Sequence, residues 1–376
     1  LSADEDYSLV SMYLYVIYFV FALLAFFEIN RGKYLLNKVL IVPFLVLFSL
    51  ASLRWERGTD WGAYIGLFEN VDNTFYLLAF EPGFYYVNYL VAAISDNYTI
   101  VLVIQALIIY TLHFYIFKKY SLQPYVSLMI WFGFYMGSIF FVRFNVAVAL
   151  TLFSFIFIEE RKFWRFFACV IIAFLFHRSA ILFIPAYFLY NKTFTRRQIL
   201  LGMLISFFLS IFFEIALNFL GQINLGIISE KAMTYAEAGS DYAEEPTRSA
   251  FQIMIVGASY RILILLLIIG FFYDLYKENI TFRGVFNLYF AGMCIFVIIT
   301  PVSVSVARMA QYYEYFQFLL IPFIIMSFKY RSNRNLVLLC VFLFYLMRLR
   351  SNVSFYEELY VPYKSIFNKE LPTEIG

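Results

Sequence analysis

Arg54, Arg57, Arg143, Arg178 and Arg308 each stand at the end of an apolar run in a chain dominated by such runs. A guanidinium held in hydrocarbon costs roughly 2.5–3.5 kcal/mol at the centre of a membrane helix and less toward the interface. Its planar fork of N–H donors matches phosphate oxygens. A group of such forks fits a lipid diphosphate; taken singly, each also fits a side chain snorkelling to the interface. Arg261 lies deeper, near the middle of the apolar run 251–273. It fits an ion pair with Glu214 or Glu314, the carboxylates placed inside such runs, or the floor of an external aqueous cavity. The cavity is the expectation preferred here, since intramembrane charges face cavities or partners.

Asp60 and Glu81 are the candidate acid–base carboxylates. They occur in Arg54-Trp-Glu-Arg57-Gly-Thr-Asp60-Trp-Gly-Ala-Tyr64 and in Glu81-Pro-Gly-Phe84. Trp55, Trp61 and Tyr64 offer ring faces on which a sugar can stack, and Gly58 and Gly62 permit close backbone approach. The plainer alternative for this stretch is an amphipathic interfacial helix with solvated carboxylates. His177, in Phe176-His177-Arg178-Ser179-Ala180, is the first candidate for a general base, because imidazole titrates near ambient pH. A helix-end His held only by hydrogen bonds is the competing explanation. His113, near Lys118 at the other end of its run, reads as structural.

The elements that must position these groups are membrane helices. The 376 residues are 63% hydrophobic and 14% charged, against about 45–50% and about 25% in soluble domains. Mean hydropathy is +0.78. Apolar runs fall at 12–27, 36–53, 99–117, 124–141, 144–158, 163–176, 179–190, 199–219, 251–273, 284–301, 309–328 and 335–347. The pattern predicts an all-α polytopic protein with about twelve spans, those between 144 and 190 being short. The first run leads into further spans, so it is not read as a cleaved signal peptide. Segment 83–95 is apolar but too short to cross, and is expected to be interfacial or re-entrant.

Loop charge sets the orientation. One alternating set of loops carries 16 basic and five acidic residues and is assigned to the cytoplasm; the opposite set carries 11 basic and 18 acidic. The alternation survives only if 83–95 does not cross, and both termini then lie outside. The candidate groups above gather on that outer face. One membrane domain is expected over 1–376, with external segments 54–98 and 220–250, a short external helix within the latter at 229–238, and an external tail from 348 to 376. Cys169, Cys294 and Cys340 lie singly in apolar runs, and with two His and no paired ligand spacing neither a disulfide framework nor a protein-built metal site is expected. No Walker loop or dinucleotide fingerprint is present, and no nucleic-acid partner is expected.

Taken in order, these motifs resemble the EpsG family, Wzy-like polymerases of bacterial exopolysaccharide, capsule and O-antigen. The likeness rests on Leu53-Arg54, Arg57-Gly-Thr-Asp60 with Tyr64, Glu81-Pro-Gly-Phe84, Arg143 before Ala147, His177-x-Ser179-Ala180, Arg308 with Tyr312 to Phe316, and Val361-Pro-Tyr363. One departure stands out: the family commonly has Gln after the arginine matched by Arg143, and this chain has Phe144 followed by Asn145.

The resemblance implies a GT-C-like glycosyltransferase in the bacterial inner membrane with an active site facing the exterior. It would move a growing glycan from one undecaprenyl-diphosphate carrier to the non-reducing end of the next lipid-linked repeat. A chain-length regulator and a flippase are further candidate partners, beside the bilayer itself. Arg54, Arg57, Arg143 and Arg308, with Arg261 next, are the diphosphate candidates and need no metal or other cofactor to neutralise the leaving group. Tyr312 and Tyr315 join Trp55, Trp61 and Tyr64 as candidate sugar contacts. A single displacement would invert the anomeric configuration. The alternatives are an O-antigen ligase, which shares the donor, and a transporter or flippase of lipid-linked sugars. Transporters often show repeats and midplane polar groups, whereas here no repeat is evident and the polar motifs favour one face. A membrane acyltransferase is a weaker alternative.

Overall fold

The computed structural model describes residues 12–32, 39–58, 60–140, 142–222, 250–301, 304–355 and 357–368. In chain order the helices are α1 (Met12–Arg31), α2 (Ile41–Ser52), α3 (Trp61–Glu69), α4 (Thr74–Ala79), α5 (Pro82–Ala92), α6 (Thr99–Tyr120), α7 (Pro124–Tyr135), α8 (Arg143–Glu159), α9 (Phe163–Phe176), α10 (Ala186–Leu189), α11 (Arg196–Gln222), α12 (Ala250–Phe271), α13 (Tyr273–Glu278), α14 (Ile280–Ile299), α15 (Val304–Ala307), α16 (Gln311–Glu314), α17 (Gln317–Ser327), α18 (Arg331–Phe355) and α19 (Glu357–Tyr360). Short 3-10 turns occupy Met136–Ser138, Arg178–Phe183 and Arg308–Ala310. Among the described residues the only β pairing is an isolated antiparallel bridge between Arg54 and Ser365. The predicted segments 223–249, including the helix at 229–238, and 369–376 lie outside the described residues, as does the side chain of Glu214.

This is a helical membrane protein. Among the described residues five helices are long and apolar enough to cross a bilayer: Met12–Arg31, Thr99–Tyr120, Phe251–Phe271, Ile280–Ile299 and Arg331–Ser354. Several of the twelve apolar runs are not single helices. The run 124–141 stops at Tyr135, because Met136, Gly137 and Ser138 all take left-handed backbone angles (φ 49°, 57° and 61°). The run 179–190 divides into a 3-10 turn and one helical turn, and 309–328 divides into a 3-10 turn, α16 and α17. Apolarity marks burial in each case, but continuity depends on backbone geometry that hydropathy does not carry. Helix α5, with 11 residues, rises roughly 16 Å, about half a hydrocarbon core, so 83–95 lacks the length of a span.

The chain forms two compact units, 1–181 with 321–376, and 182–320. In the first, α7 is the buried centre: every residue from Pro124 to Phe134 is buried. It packs on α1, α18 and α6; α6 also packs on α2 and α8, and α8 on α9. A helix apolar on all sides must be enclosed in this way. Its start combines Pro124 at the first turn with the buried Glu28 carboxylate, whose Oε2 accepts the Tyr125 N–H at 2.9 Å. Proline loses no helical hydrogen bond there, and a carboxylate suits the positive helix end. At its other end the carbonyls are met by side chains. Tyr110 donates to Gly137 O at 2.8 Å, Asn352 to Phe134 O at 2.7 Å and Arg54 to Ile139 O at 2.5 Å. In the second unit α14 is the centre, packed against α10, α11, α12, α13 and α16.

The stretch from α3 to the start of α6 has its own core, in which Tyr64, Phe68, Phe84, Tyr85 and Tyr98 pack with Leu102 and Val142. The tail is stitched to the residues just before this stretch. Trp55 N–H donates to Lys364 O at 2.8 Å, Ile366 N–H to Leu53 O at 2.9 Å, Arg57 Nε to Pro362 O at 2.6 Å and Tyr363 Oη to Leu50 O at 3.0 Å. Lys364 pairs with Glu56. The last motif of the sequence thus closes against the first.

Gly133 lies where α7 meets α1 and α18. A Cβ there would sit 2.8 Å from Tyr345 Cβ and 2.9 Å from the Tyr18 ring. Gly133→Val is expected to cost about 1–3 kcal/mol through overpacking, read as a lower melting temperature in detergent; an unchanged melting temperature would contradict this close approach. Arg57→Ala is expected to release the tail. Tryptic cleavage after Lys364, which is 3% exposed, should then accelerate, and equal cleavage of both proteins would show that Arg57 does not hold it.

Candidate functional site

Glu81 precedes α5 in extended conformation (φ −68°, ψ 143°), with Pro82 opening the helix. Its side chain makes no cap for α5. Instead Oε2 accepts Arg143 Nη1 at 2.6 Å, and Oε1 accepts the backbone N–H of Arg178 at 3.3 Å. One carboxylate therefore ties the first residue of α8 to the turn that follows α9. Helix α5 can come this near because residue 83 is glycine: a Cβ there would lie 2.8 Å from Leu175 O.

His177 caps α9 and leaves it in extended conformation (φ −155°, ψ 117°). Its Nδ1 lies 2.6 Å from Ser179 Oγ, and its ring meets Phe144 edge to face at 5.0 Å between centroids. Adjacent residues thus meet twice, Arg143 with the Arg178 turn through Glu81 and Phe144 with His177 directly. The Arg143 side chain is 21% exposed and its guanidinium lies over the rings of Phe80, Tyr64 and Phe84 at 5.3–6.0 Å. Such contacts hold a cation in place where little water screens it.

Asp60 is exposed just before α3, and its Oδ2 accepts Tyr64 Oη at 3.0 Å. Burial pushes the Tyr64 phenol up, Arg143 opposes this and Asp60 adds to it. The phenol therefore stays protonated as the donor to Asp60. Trp55 and Trp61 meet edge to face at 5.2 Å, and Trp61 meets Tyr98 likewise at 5.4 Å. Both tryptophans are partly exposed, whereas Tyr64 is buried.

The structure brings Asp60, Tyr64, Glu81, Arg143 and His177 to one end of the first unit. Arg54 and Arg57 belong to the same region but are 4% and 3% exposed. Arg54 donates to Arg57 O at 3.1 Å and to Ile139 O, and Arg57 to Pro362 O. Their guanidinium groups bind backbone carbonyls, which are acceptors, so they do not stand as open phosphate ligands here. In the second unit Arg261 forms the ion pair rather than the cavity floor that was preferred. Its Nε donates to Glu314 Oε1 at 2.6 Å and Nη1 to Gly257 O at 2.5 Å, with the guanidinium 3.6 Å from the Phe296 centroid. Tyr312 and Tyr315 are 1% and 0% exposed and present no open ring face. Arg308 is exposed at the start of its 3-10 turn. Among the described residues no three His, Cys, Asp or Glu side chains gather as a metal site.

Sequence reasoning gave no role to Ser179 or Phe144. Ser179 stood inside the His177-x-Ser179 motif, and its two-residue spacing at a helix end was the available signal. Phe144, the departure from the family pattern, supplies the ring against which His177 rests; no spacing rule predicts that contact.

A profile of the EpsG family matches residues 37–365, a stretch that contains every candidate residue above. No curated protein and no solved structure matches the chain. The match covers most of the chain, and the family is associated with polysaccharide polymerisation of the glycosyltransferase kind. This protein, with its helical membrane scaffold and its histidine and arginine drawn together at one set of helix ends, belongs to the EpsG family.

Proposed function

We propose that this protein is a GT-C-like polymerase of undecaprenyl-diphosphate-linked repeat units in the bacterial inner membrane, with its active site on the outer face. The observation that carries this reading is the junction of Arg143, Glu81 and the His177–Arg178 turn. It supplies a held cation and an imidazole at the helix ends opposite Lys118, Lys119, Arg161 and Lys162. That polarity agrees with the orientation drawn from loop charge. Phe75, Leu78 and Leu90, on the short helices α4 and α5, are 63–79% exposed, which suits seating in the lipid interface beside the site.

In the proposed reaction His177 takes the proton of the acceptor hydroxyl as the oxygen attacks the donor's anomeric carbon. The bond from that carbon to the diphosphate oxygen breaks, and the electron pair leaves with the lipid diphosphate. Arg143 lies where it can stabilise the charge that develops, and such preorganised donors are commonly the largest catalytic contribution. One displacement inverts the anomeric centre. Asp60, with Oδ2 engaged by Tyr64, is the second choice for the base. Trp55 and Trp61 are the sugar contacts that retain exposure. Arg54 and Arg57 act by fixing the loop and tail. Arg261 is held by Glu314, and Arg308 stays a diphosphate candidate on chemistry alone.

Purified protein given its lipid-linked repeat should yield a ladder of products. His177→Ala and Arg143→Ala are each expected to lower the rate by about a hundredfold or more. Transfer of single repeats to lipid A core would make the protein a ligase, and movement of intact substrate between leaflets would make it a transporter. Ser179→Ala is expected to lower the rate roughly tenfold by loosening the imidazole, the worth of one hydrogen bond, while Ser179→Thr retains most activity. Full rate in Ser179→Ala would show that the hydroxyl does not orient the base.

A further inference from the structure

A small cavity lies within the first unit, where α2, α6 and the left-handed turn after α7 converge. It is lined by Ala51, Arg54, Leu102, Gln105, Ala106, Ile109, Ser138 and Val142. Two features distinguish it from a packing defect. Gln105 is 1% exposed, and neither its Nε2 nor its Oε1 has a hydrogen-bond partner among the described residues. Buried amides are almost always paired, and an unpaired one calls for a water or an ion. The second feature is Arg54. Its hydrogen bonds use Nε and Nη1 on three carbonyls, and none involves Nη2 among the described residues.

The charge on Arg54 is also uncompensated. Burial pulls its pKa down, and the groups opposing that shift are the phenols of Tyr98, Tyr110, Tyr363 and Tyr64, with no carboxylate. Glu56, the nearest acid in sequence, is engaged by Lys364. Carbonyls at the end of α2 offset part of this charge, since a helix C-terminus carries about half a negative charge. A buried guanidinium that keeps its proton nevertheless favours a full counter-charge. Among the unengaged groups at the cavity the donors are the more numerous: Arg54 Nη2 and Gln105 Nε2 stand with the one amide oxygen of Gln105. Water must donate as well as accept; an anion only accepts.

We propose that this cavity binds a small monovalent inorganic anion of halide size, coordinated by Arg54 and Gln105. A diphosphate is too large for it, so the site is separate from the substrate site and does not rest on the function proposed above. The anion would pin Arg54 to the turn at Met136–Ser138 and so fix the approach to α8, which begins with Arg143.

The test is the melting temperature of the detergent-purified full chain, titrated with chloride or bromide against gluconate at constant ionic strength. The wild type should gain stability with halide and saturate. Gln105→Leu should weaken the apparent halide affinity at least tenfold. Gln105→Glu places a carboxylate beside Arg54; it should be more stable than the wild type in gluconate and indifferent to halide. A wild type indifferent to halide would show that the guest is water alone. An equal halide response in all three proteins would place the effect elsewhere. Either result overturns the proposal, and neither bears on polymer synthesis.

Discussion

A guanidinium near hydrocarbon must find acceptors, and this requirement organises the end of the first unit that holds Glu81, Arg143 and His177. Arg143 meets it with Glu81, whose second oxygen is taken by the Arg178 N–H. If the carboxylate is removed, Arg143 loses its partner and the turn bearing His177 loses its tie to α8 together. The pair is only partly exposed, so water replaces it poorly, and breaking one side of a buried pair is costly because the other is left behind. Glu81 is for that reason better suited to positioning than to proton transfer: both its oxygens are engaged where an acid–base group needs one free.

Arg54 and Arg57 meet the same requirement with backbone carbonyls. Helix ends leave carbonyls unpaired, and the left-handed turn at Met136–Ser138 gives α7 an abrupt end with carbonyls to satisfy. Non-glycine residues in that conformation are disfavoured by about 1–2 kcal/mol each. Packing and side-chain hydrogen bonds from Tyr110, Arg54 and Asn352 oppose that cost. The same arginine-rich loop receives the tail, so residues about 300 positions apart in sequence become one structural unit around Arg57 and Pro362.

Much of this was legible in the sequence. The all-helical membrane character followed from run length and composition, and the short apolar stretch before Asp96 proved to be an 11-residue helix. Arg143 and His177 were singled out by residue type and position at run ends, Asp60 and Glu81 as carboxylates in the motifs between 54 and 84, and the four share one end of the first unit. What could not be read was partner choice. Arg54, Arg57 and Arg143 look alike as a sequence pattern, yet one faces a carboxylate and two face carbonyls. Arg261 had two readings of similar physical merit, and the choice turned on Glu314 lying one helix away, which no local pattern encodes. The broken runs at 124–141 and 309–328 escaped for a related reason: hydropathy reports what is buried, and backbone angles decide where a helix stops.

The fates of these arginines also limit how the site can use charge. A guanidinium whose Nε or Nη1 is held by backbone carbonyls is poorly placed to follow a developing negative charge, because those donors would have to leave acceptors that are themselves buried. Arg143 differs in being paired with a carboxylate, with a partly exposed side chain and aromatic faces around it. Phe80 and Phe84 restrain its motion without occupying its N–H groups, while the Tyr64 side chain engages one of them. A donor that is held in place yet not fully spent needs little reorganisation when charge appears, and that is the condition under which electrostatic stabilisation is most effective. By this argument Arg143 is the arginine of the first unit whose surroundings fit chemistry, whereas those of Arg54 and Arg57 fit architecture.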